Sequence, residues 1–520
     1  MEKSNSYTIR ISLIVALGGF LMGFDASVIS GVVKFIETEF DLTKLQLGWS
    51  VASLTLTATL AMMVSGPLSD RFGRRKVLQV AAVLFAVSAL GSAVALDFLT
   101  LVIARMIGGF GVGASLILAP MYIAEIAPPS MRGRLVSFNQ LNIVIGISVA
   151  FFTNYLILQL AESSSEWALS LGFQKWNWRW MLGLELLPAM LFFIGLFFVP
   201  KSPRWLVMKG QTDQALLIMS QFTETENAQK QINDAIRSIH EEKGKEKIML
   251  TEFFKPSYRL MLLIGVVIAI LQQITGINSV FFYAPMIFEQ SGIGTDASFI
   301  QAILVGLINL VFTILAILFI DRLGRRPLLL VGLAGIAICM SLLAYGFGSA
   351  RYELTQDALN MLPEEIDRNR LVPMIDQVYA DDVSFKEALR NNLGEKNALA
   401  FESNLITAAI NMNPTLILFG ILGFVASFAI SIGPVMWVLF SELFPIRIKG
   451  AAISFVGFLN SLVSYLVQQF FPWQLETLGS STTFLIYGLF AALGLVFVWF
   501  IVPETKNKSL EELETILIKR

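Results

Sequence analysis

GPLSDRFGRRK at 66–76 returns as FIDRLGRRP at 319–327. Asp70, Arg71, Gly73, Arg74 and Arg75 match Asp321, Arg322, Gly324, Arg325 and Arg326 in order. Each copy joins one long apolar run to the next. Two further pairs keep the same order. Glu125 is followed by Arg132-Gly133 and Glu442, at equal spacing, by Lys449-Gly450. Val199-Pro200 and Val502-Pro503 close the last apolar run on either side. The chain is an internal duplication.

Of the 520 residues, 55% are hydrophobic and 15% charged, with mean hydropathy +0.68. Soluble domains carry about 25% charged residues, so this composition points to a polytopic membrane protein. A helix needs about 20 apolar residues to cross a bilayer. Twelve such spans are expected at 9–33, 48–68, 76–96, 100–122, 135–160, 178–199, 259–288, 299–320, 327–347, 414–440, 450–471 and 482–502. A polar stretch at 203–257 divides them six and six, and a second at 348–413 lies between spans nine and ten. Two six-helix repeats around a central midplane site are the architecture of a major facilitator transporter. The fold class expected is therefore an all-α membrane protein of twelve transmembrane helices. Its parts are an N-terminal bundle 1–202, a linker 203–257 and a C-terminal bundle 258–520 carrying the insertion 348–413.

Short basic loops at 71–76, 132–134, 322–326 and 447–449 fall on one side, and neutral or acidic loops on the other. The positive-inside rule puts the basic loops, both termini and the linker in the cytoplasm, with the insertion outside. A net charge of −1 offers no basic face to nucleic acid. The single cysteine, Cys339, excludes an intramolecular disulfide, and the single histidine, His240, lies in a polar stretch. No metal site, His-based triad or cofactor is expected. The first apolar run is full length and lacks a small-residue cleavage site, so no cleavable signal peptide is read there.

Three ionisable groups sit well inside the spans: Asp25 in GGFLMGFDASVISG, Arg105 in RMIGGFGVG and Glu185 in NWRWMLGLE. An Asp at the centre of a membrane helix costs about 2.5–3.5 kcal/mol on the insertion scale, and such groups pair or line a water-filled path. Arg105 can compensate Asp25. The pair reads either as a static structural bridge or as a proton switch, in which protonating Asp25 releases Arg105. Glu185 reads as a second relay group or as a residue at the water interface.

Span seven holds the densest polar cluster, Gln272, Gln273 and Asn278 in LQQITGINSVFFYAP, with Gly276 and Pro285 to loosen the helix. No single narrow helical stripe holds all three. Amides donate and accept without charge, which suits a neutral polyhydroxylated ligand better than an ion or a drug. Gln140, Asn309 and Asn460 add amides from spans five, eight and eleven. For isolated Asn309, simple helix-to-helix bonding reads equally well. In span ten Gly433-Pro434 signals a hinge, and Trp437 one turn on offers a flat face for a sugar ring. The basic loops form charge networks that can lock one side shut.

These stretches together resemble the sugar porter family of the major facilitator superfamily. The motifs are those above with PMYIAEIAPPSMRGR, PKSPRWL, GPVMWVLFSELFP and PETKNKSLEEL, and the resemblance covers nearly all of the chain except 348–413. It is strongest to bacterial proton-coupled symporters for pentoses and hexoses. The resemblance implies that Asp25 binds the proton, with Arg105 as its partner and Glu185 close by; passive facilitators usually have Asn at the first position. It implies sugar binding by Gln140, Gln272, Gln273, Asn278, Asn309, Trp437 and Asn460, and a helical cytoplasmic linker at 203–257. The cytoplasmic gate is expected from Asp70, Arg74, Arg75, Glu125 and Arg132, with Asp321, Arg325, Arg326, Glu442 and Lys449 in the second half.

Three residues depart from the pattern. Ser461 stands where a Trp is usual, Phe282 replaces the first of two tyrosines, and Lys201 takes the place of a Glu, which puts one salt bridge of the gate in doubt. Within the insertion, LTQDALNMLPEEI and VSFKEALRNNL read as short amphipathic helices. The expected function is proton-coupled import of a monosaccharide by alternating access, through an inner-membrane, monomeric protein with no covalent chemistry. The alternatives are an uncoupled facilitator and a non-transporting sugar sensor. The chain ends about 18 residues after span twelve, which argues against a sensor's long signalling tail.

Overall fold

The structure is a computed structural model and describes residues 2–128, 131–243, 258–445, 448–506, 508 and 512–513. Among the described residues eleven helices are long and apolar enough to cross a membrane. The last, Lys449–Phe500, has 52 residues and breaks at Gly479 (φ 77°, ψ 163°). A continuous helix of that length would reach roughly 78 Å against a hydrocarbon core of about 30 Å. The break makes two spans of it, and the count becomes the expected twelve.

Proline sets several breaks, and it acts upstream of itself. Pro434 has no N–H for the carbonyl of Ile430, and its ring crowds that group. Span ten accordingly stops at Ile430, turns at Ser431 (φ −124°, ψ −104°) and resumes at Ile432. The hinge expected at Gly433-Pro434 therefore lies a few residues earlier. Pro188 acts likewise: span six runs Asn177–Gly183, breaks, and resumes over Leu186–Gly195. In span seven, helices Arg259–Ile274 and Ile277–Glu289 meet at Gly276 (φ 92°, ψ 14°), and Tyr283 departs from helical geometry two residues before Pro285. A Cβ on Gly276 would meet the Tyr487 ring at 2.4 Å.

The chain forms two compact units, one of 1–28, 53–150 and 179–249, the other of 29–52, 151–178 and 250–520. In the first, spans one and five touch backbone to backbone. A Cβ on Gly23 would lie 1.9 Å from the Ile143 carbonyl oxygen, and one on Gly146 2.2 Å from that of Phe20. Phe85, Leu118, Tyr122 and Phe192 centre its core. Helices Pro203–Met208, Thr212–Met219 and Thr225–Lys243 follow, packed through Leu206, Ala215, Met219, Ala228 and Ile232. The remainder of the expected linker, 244–257, lies outside the described residues.

The second unit contains the insertion as a small folded body. Strands β1 (Arg351–Glu353), β2 (Val378–Tyr379) and β3 (Ile410–Asn411) form an antiparallel sheet in the order β2-β1-β3. The two amphipathic helices read from the sequence form at Gln356–Met361 and Asp382–Leu393, joined by Glu395–Ala400 and Glu402–Ala409. Tyr352 stacks on Phe385 at 5.1 Å within a core that includes Leu359, Leu371 and Leu405. The body is fastened at the Gly479 break. There the Asp382 carboxylate accepts from the Ser480 amide at 3.0 Å and the Ser480 hydroxyl at 2.8 Å. It thereby caps the first turn of span twelve, whose opening N–H groups have no partner in their own helix. Burial alone would push the Glu402 carboxyl up, but Lys386 at 3.0 Å, the charge of Lys44 and the Gln290 amide hold it well below the usual carboxylate range.

Asp382→Ala removes the cap and should cost about 1 kcal/mol. It should lower the thermal midpoint of the detergent-solubilised protein, with Asp382→Asn restoring part of the loss. An unchanged midpoint would contradict the fastening described.

Candidate functional site

In the first unit Asp25, Arg105 and Glu185 are 1%, 1% and 2% exposed. Spans one and four run antiparallel: a Cβ on Gly108 would lie 3.0 Å from Asp25 Oδ2, and one on Gly18 3.4 Å from Ser115 Oγ. Arg105 reaches from the same helix, and its Nη1 lies 3.4 Å from Asp25 Oδ1. Charge-assisted bonds usually close to about 2.7–2.9 Å, so this pair is loose. Among the described residues Asp25 Oδ2 has no hydrogen-bond partner, nor does Glu185 Oε1. Glu185 sits at the proline-induced break of span six. All three groups are buried within the first unit.

The second unit gathers the amides. The break at Gly276 lets Gln272 and Gln273 on one helix face the same way as Asn278 on the next. Gln273 Nε2 donates to Asn460 Oδ1 at 3.1 Å and to Gln272 Oε1 at 3.2 Å. Asn460 Nδ2 donates to Gln272 Oε1 at 2.6 Å and to the Ala269 carbonyl at 2.8 Å. Asn278 Nδ2 donates to Gln273 Oε1 at 2.8 Å and to Ser464 Oγ at 2.6 Å. Gln272 Nε2 reaches the Gly433 carbonyl at 3.2 Å, one turn from Trp437. Trp437 is 47% exposed, lying 3.7 Å from where a Cβ on Gly457 would stand. The assembly is a largely buried net of neutral donors and acceptors beside an open aromatic face. Such groups satisfy one another when alone and can exchange those bonds for hydroxyls.

Two residues of this net went unread in the sequence. Ser464 and Gln468 follow Asn460 at intervals of four on span eleven, and Gln468 Nε2 donates to Ser464 Oγ at 2.8 Å. The spacing itself was the available signal. Asn309 is buried on span eight, but among the described residues no hydrogen bond joins it to the net. Gln140 is exposed on span five in the first unit, while its neighbour Asn139 is buried against Gly19.

The expected gate residues form two matched clusters. In the first unit Arg74 donates to Asp70 at 2.7 Å, to the Ser69 carbonyl at 3.1 Å and to Glu125 at 3.2 Å, and Glu125 also accepts from Ser202. Arg75 reaches the Phe197 carbonyl at 3.1 Å. In the second, Arg325 donates to Glu442 at 2.7 Å and 3.1 Å and to the Ile320 carbonyl at 3.2 Å, and Thr505 donates to Glu442 at 2.6 Å. Arg326 donates to the Trp499 carbonyl. Among the described residues neither Arg132 nor Lys449 is hydrogen bonded to these clusters, and the side chain of Asp321 lies outside the described residues.

A family model for sugar (and other) transporters matches residues 11–361 and 398–517. The chain belongs to the sugar transporter family. The match leaves out 362–397, the middle of the insertion. The arabinose–proton symporter of Bacillus subtilis is 34% identical over 100% of this chain and 97% of its own. The D-xylose–proton symporter of Escherichia coli is 34% identical over 99% and 96%. The xylose transporter XylE of E. coli, solved in an inward-open conformation, superposes with a TM-score of 0.74 at 33% identity, covering 98% of this chain and 100% of that one. These likenesses give the chain the major facilitator fold of two six-helix repeats, as the duplicated loops implied.

Asn460→Ala would delete three hydrogen bonds together, leaving one Gln273 Nε2–H unpaired and Gln272 Oε1 with a single donor, Gln273. Leaving buried polar groups unpaired costs about 1–3 kcal/mol. The variant should melt measurably below wild type, whereas Asn309→Ala should cost under about 1 kcal/mol. Equal losses would deny the net its described wiring.

Proposed function

We propose that this protein imports a monosaccharide, a pentose or a hexose, together with a proton by alternating access. The observation that carries the reading is Asp25: one carboxylate oxygen lies loosely against Arg105 and the other has no donor among the described residues. Ionised, the group leaves a buried oxygen unsatisfied; protonated, it becomes a donor and frees Arg105. A purely structural bridge favours two bonds and close contact. Sugar would bind to Gln272, Gln273, Asn278 and Asn460 with Trp437 against its ring, and Gln140 contributing from the first half. The relatives named as arabinose–proton and xylose–proton symporters support both substrate class and coupling.

In this reading the halves 1–202 and 258–520 rock about the sugar, and 203–257 links them in the cytoplasm. The basic loops, both termini and the Arg74–Glu125 and Arg325–Glu442 clusters face the cytoplasm, where the clusters act as the inner gate. The insertion faces outward from the inner membrane, and the working unit is a monomer. Sugar and proton enter from outside, the outer end closes, and the inner clusters part. Asp25 then loses its proton inward as Arg105 re-pairs with it. The chemistry is binding and release, with no covalent step.

The test is the external pH of a weakly buffered, anaerobic suspension of expressing cells as single sugars are added. The wild type should alkalinise the medium with its own sugar, and Asp25→Asn should abolish this while leaving sugar exchange intact. Sugar entry without any pH change in either protein would make the chain a facilitator and Asp25 a counter-ion. Gln273→Ala should raise the sugar concentration for half-maximal exchange by about tenfold or more, the loss of one or two hydrogen bonds to hydroxyls.

A further inference from the structure

The end of the molecule that carries the insertion is closed within the second unit. Residues 29–52 and 151–178 of the first half are packed there with the second half. Lys34, after span one, bridges to Glu289 at the end of span seven at 2.8 Å, and Gln159 donates to Asp296 at 2.5 Å. Lys44, at the start of span two, is held by Glu37 at 2.5 Å and Glu476 at 3.6 Å. Glu476 lies between spans eleven and twelve and also accepts from Arg390 of the insertion at 2.6 Å. Glu37, Lys44, Arg390 and Glu476 rim a cavity of about 290 Å³ with Lys386 and Glu402.

The pairs fall into two classes. Lys44–Glu37 lies within the first half; Arg390–Glu476 and Lys386–Glu402 lie within the second. Lys44–Glu476 crosses between the halves, and at 3.6 Å it is the longest of the group. Parting the halves breaks that pair along with Lys34–Glu289 and Gln159–Asp296, but around the Lys386–Glu402 cavity it is the one ion pair lost. Lys44 departs with Glu37, and Glu476 stays with Arg390, so neither half-buried charge is stranded.

We propose that Arg390 is a positioning residue for the transport cycle: it keeps Glu476 paired when Lys44 leaves, and so lets the outer end open. This rests on the alternating-access reading above and adds a task for the insertion, which the family match omits at this position. Without Arg390, Glu476 has Lys44 as its remaining ionic partner, and opening strands it; the closed state gains. Without Glu476 the crossing pair is gone, and the open state gains. The two substitutions act in opposite directions, which loss of a merely structural contact does not produce.

The experiment is a distance measurement between spin labels in the purified full chain, in detergent micelles. Labels go on Leu169→Cys and Val378→Cys, both exposed, in a Cys339→Ser background. Half-exposed ion pairs of this kind change a two-state ratio by about two- to fivefold. Arg390→Gln should raise the closed-to-open ratio by that factor, Glu476→Gln should lower it, and Arg390→Lys should restore most of the wild-type balance. Shifts in the same direction, or no shift in either, overturn the proposal. A single distance in wild type and all variants also overturns it, and sugar exchange by the same preparation in liposomes then shows whether the transport reading falls with it.

Discussion

In hydrocarbon a backbone N–H or C=O that lacks a partner costs several kcal/mol, so a spanning chain is helical except where protein supplies the missing bonds. Several features of interest here sit at such exceptions. Glu185 occupies the break in span six. Gly276 divides span seven between its two glutamines and its asparagine. Span ten turns at Ser431, one turn and a half before Trp437, and the chain reverses between spans eleven and twelve at Gly479. Three of these breaks place polar groups in the depth of the bundle. The fourth is closed by Asp382, a side chain from outside the spans.

The matched end clusters show how far the duplication reaches. Arg74–Glu125–Ser202 and Arg325–Glu442–Thr505 have the same wiring. One step before Thr505, Glu504 accepts from the Arg325 and Arg326 amides at 3.1 Å and 3.0 Å, capping span nine. The corresponding residue in the first half is Lys201, which instead lies 6.0 Å from the centre of the Trp205 ring. The departure noticed in the sequence thus removes a helix cap from one repeat, while Arg74 and Glu125 are paired beside it.

The twelve spans were legible because apolar length is a one-dimensional signal, and the Asp25–Arg105–Glu185 group because charges inside such runs are few. The break positions were less so. Pro434 is visible in sequence, but the carbonyl it displaces belongs to Ile430. Gln272, Gln273 and Asn278 shared no helical stripe on paper; a positive φ at Gly276 rotates one helix against the other and brings them together. Ser464 and Gln468 were passed over because hydroxyls and amides facing solvent, lipid or a partner look alike in sequence. The insertion's sheet was unread for a simpler reason: strands of two or three residues carry no usable alternation.

Spans one and five meet so closely that Gly23 and Gly146 have no room for a methyl group beside the facing carbonyls. For anyone diversifying this protein to accept a different sugar, that seam divides the first half into fixed and adjustable territory. Changes on the open faces, such as at Gln140, leave the bundle intact. Changes at the seam alter the spacing of the helix that carries Asp25, and with it the fit of Asp25 against Arg105. A library that randomises both together will therefore confuse altered taste with a displaced helix.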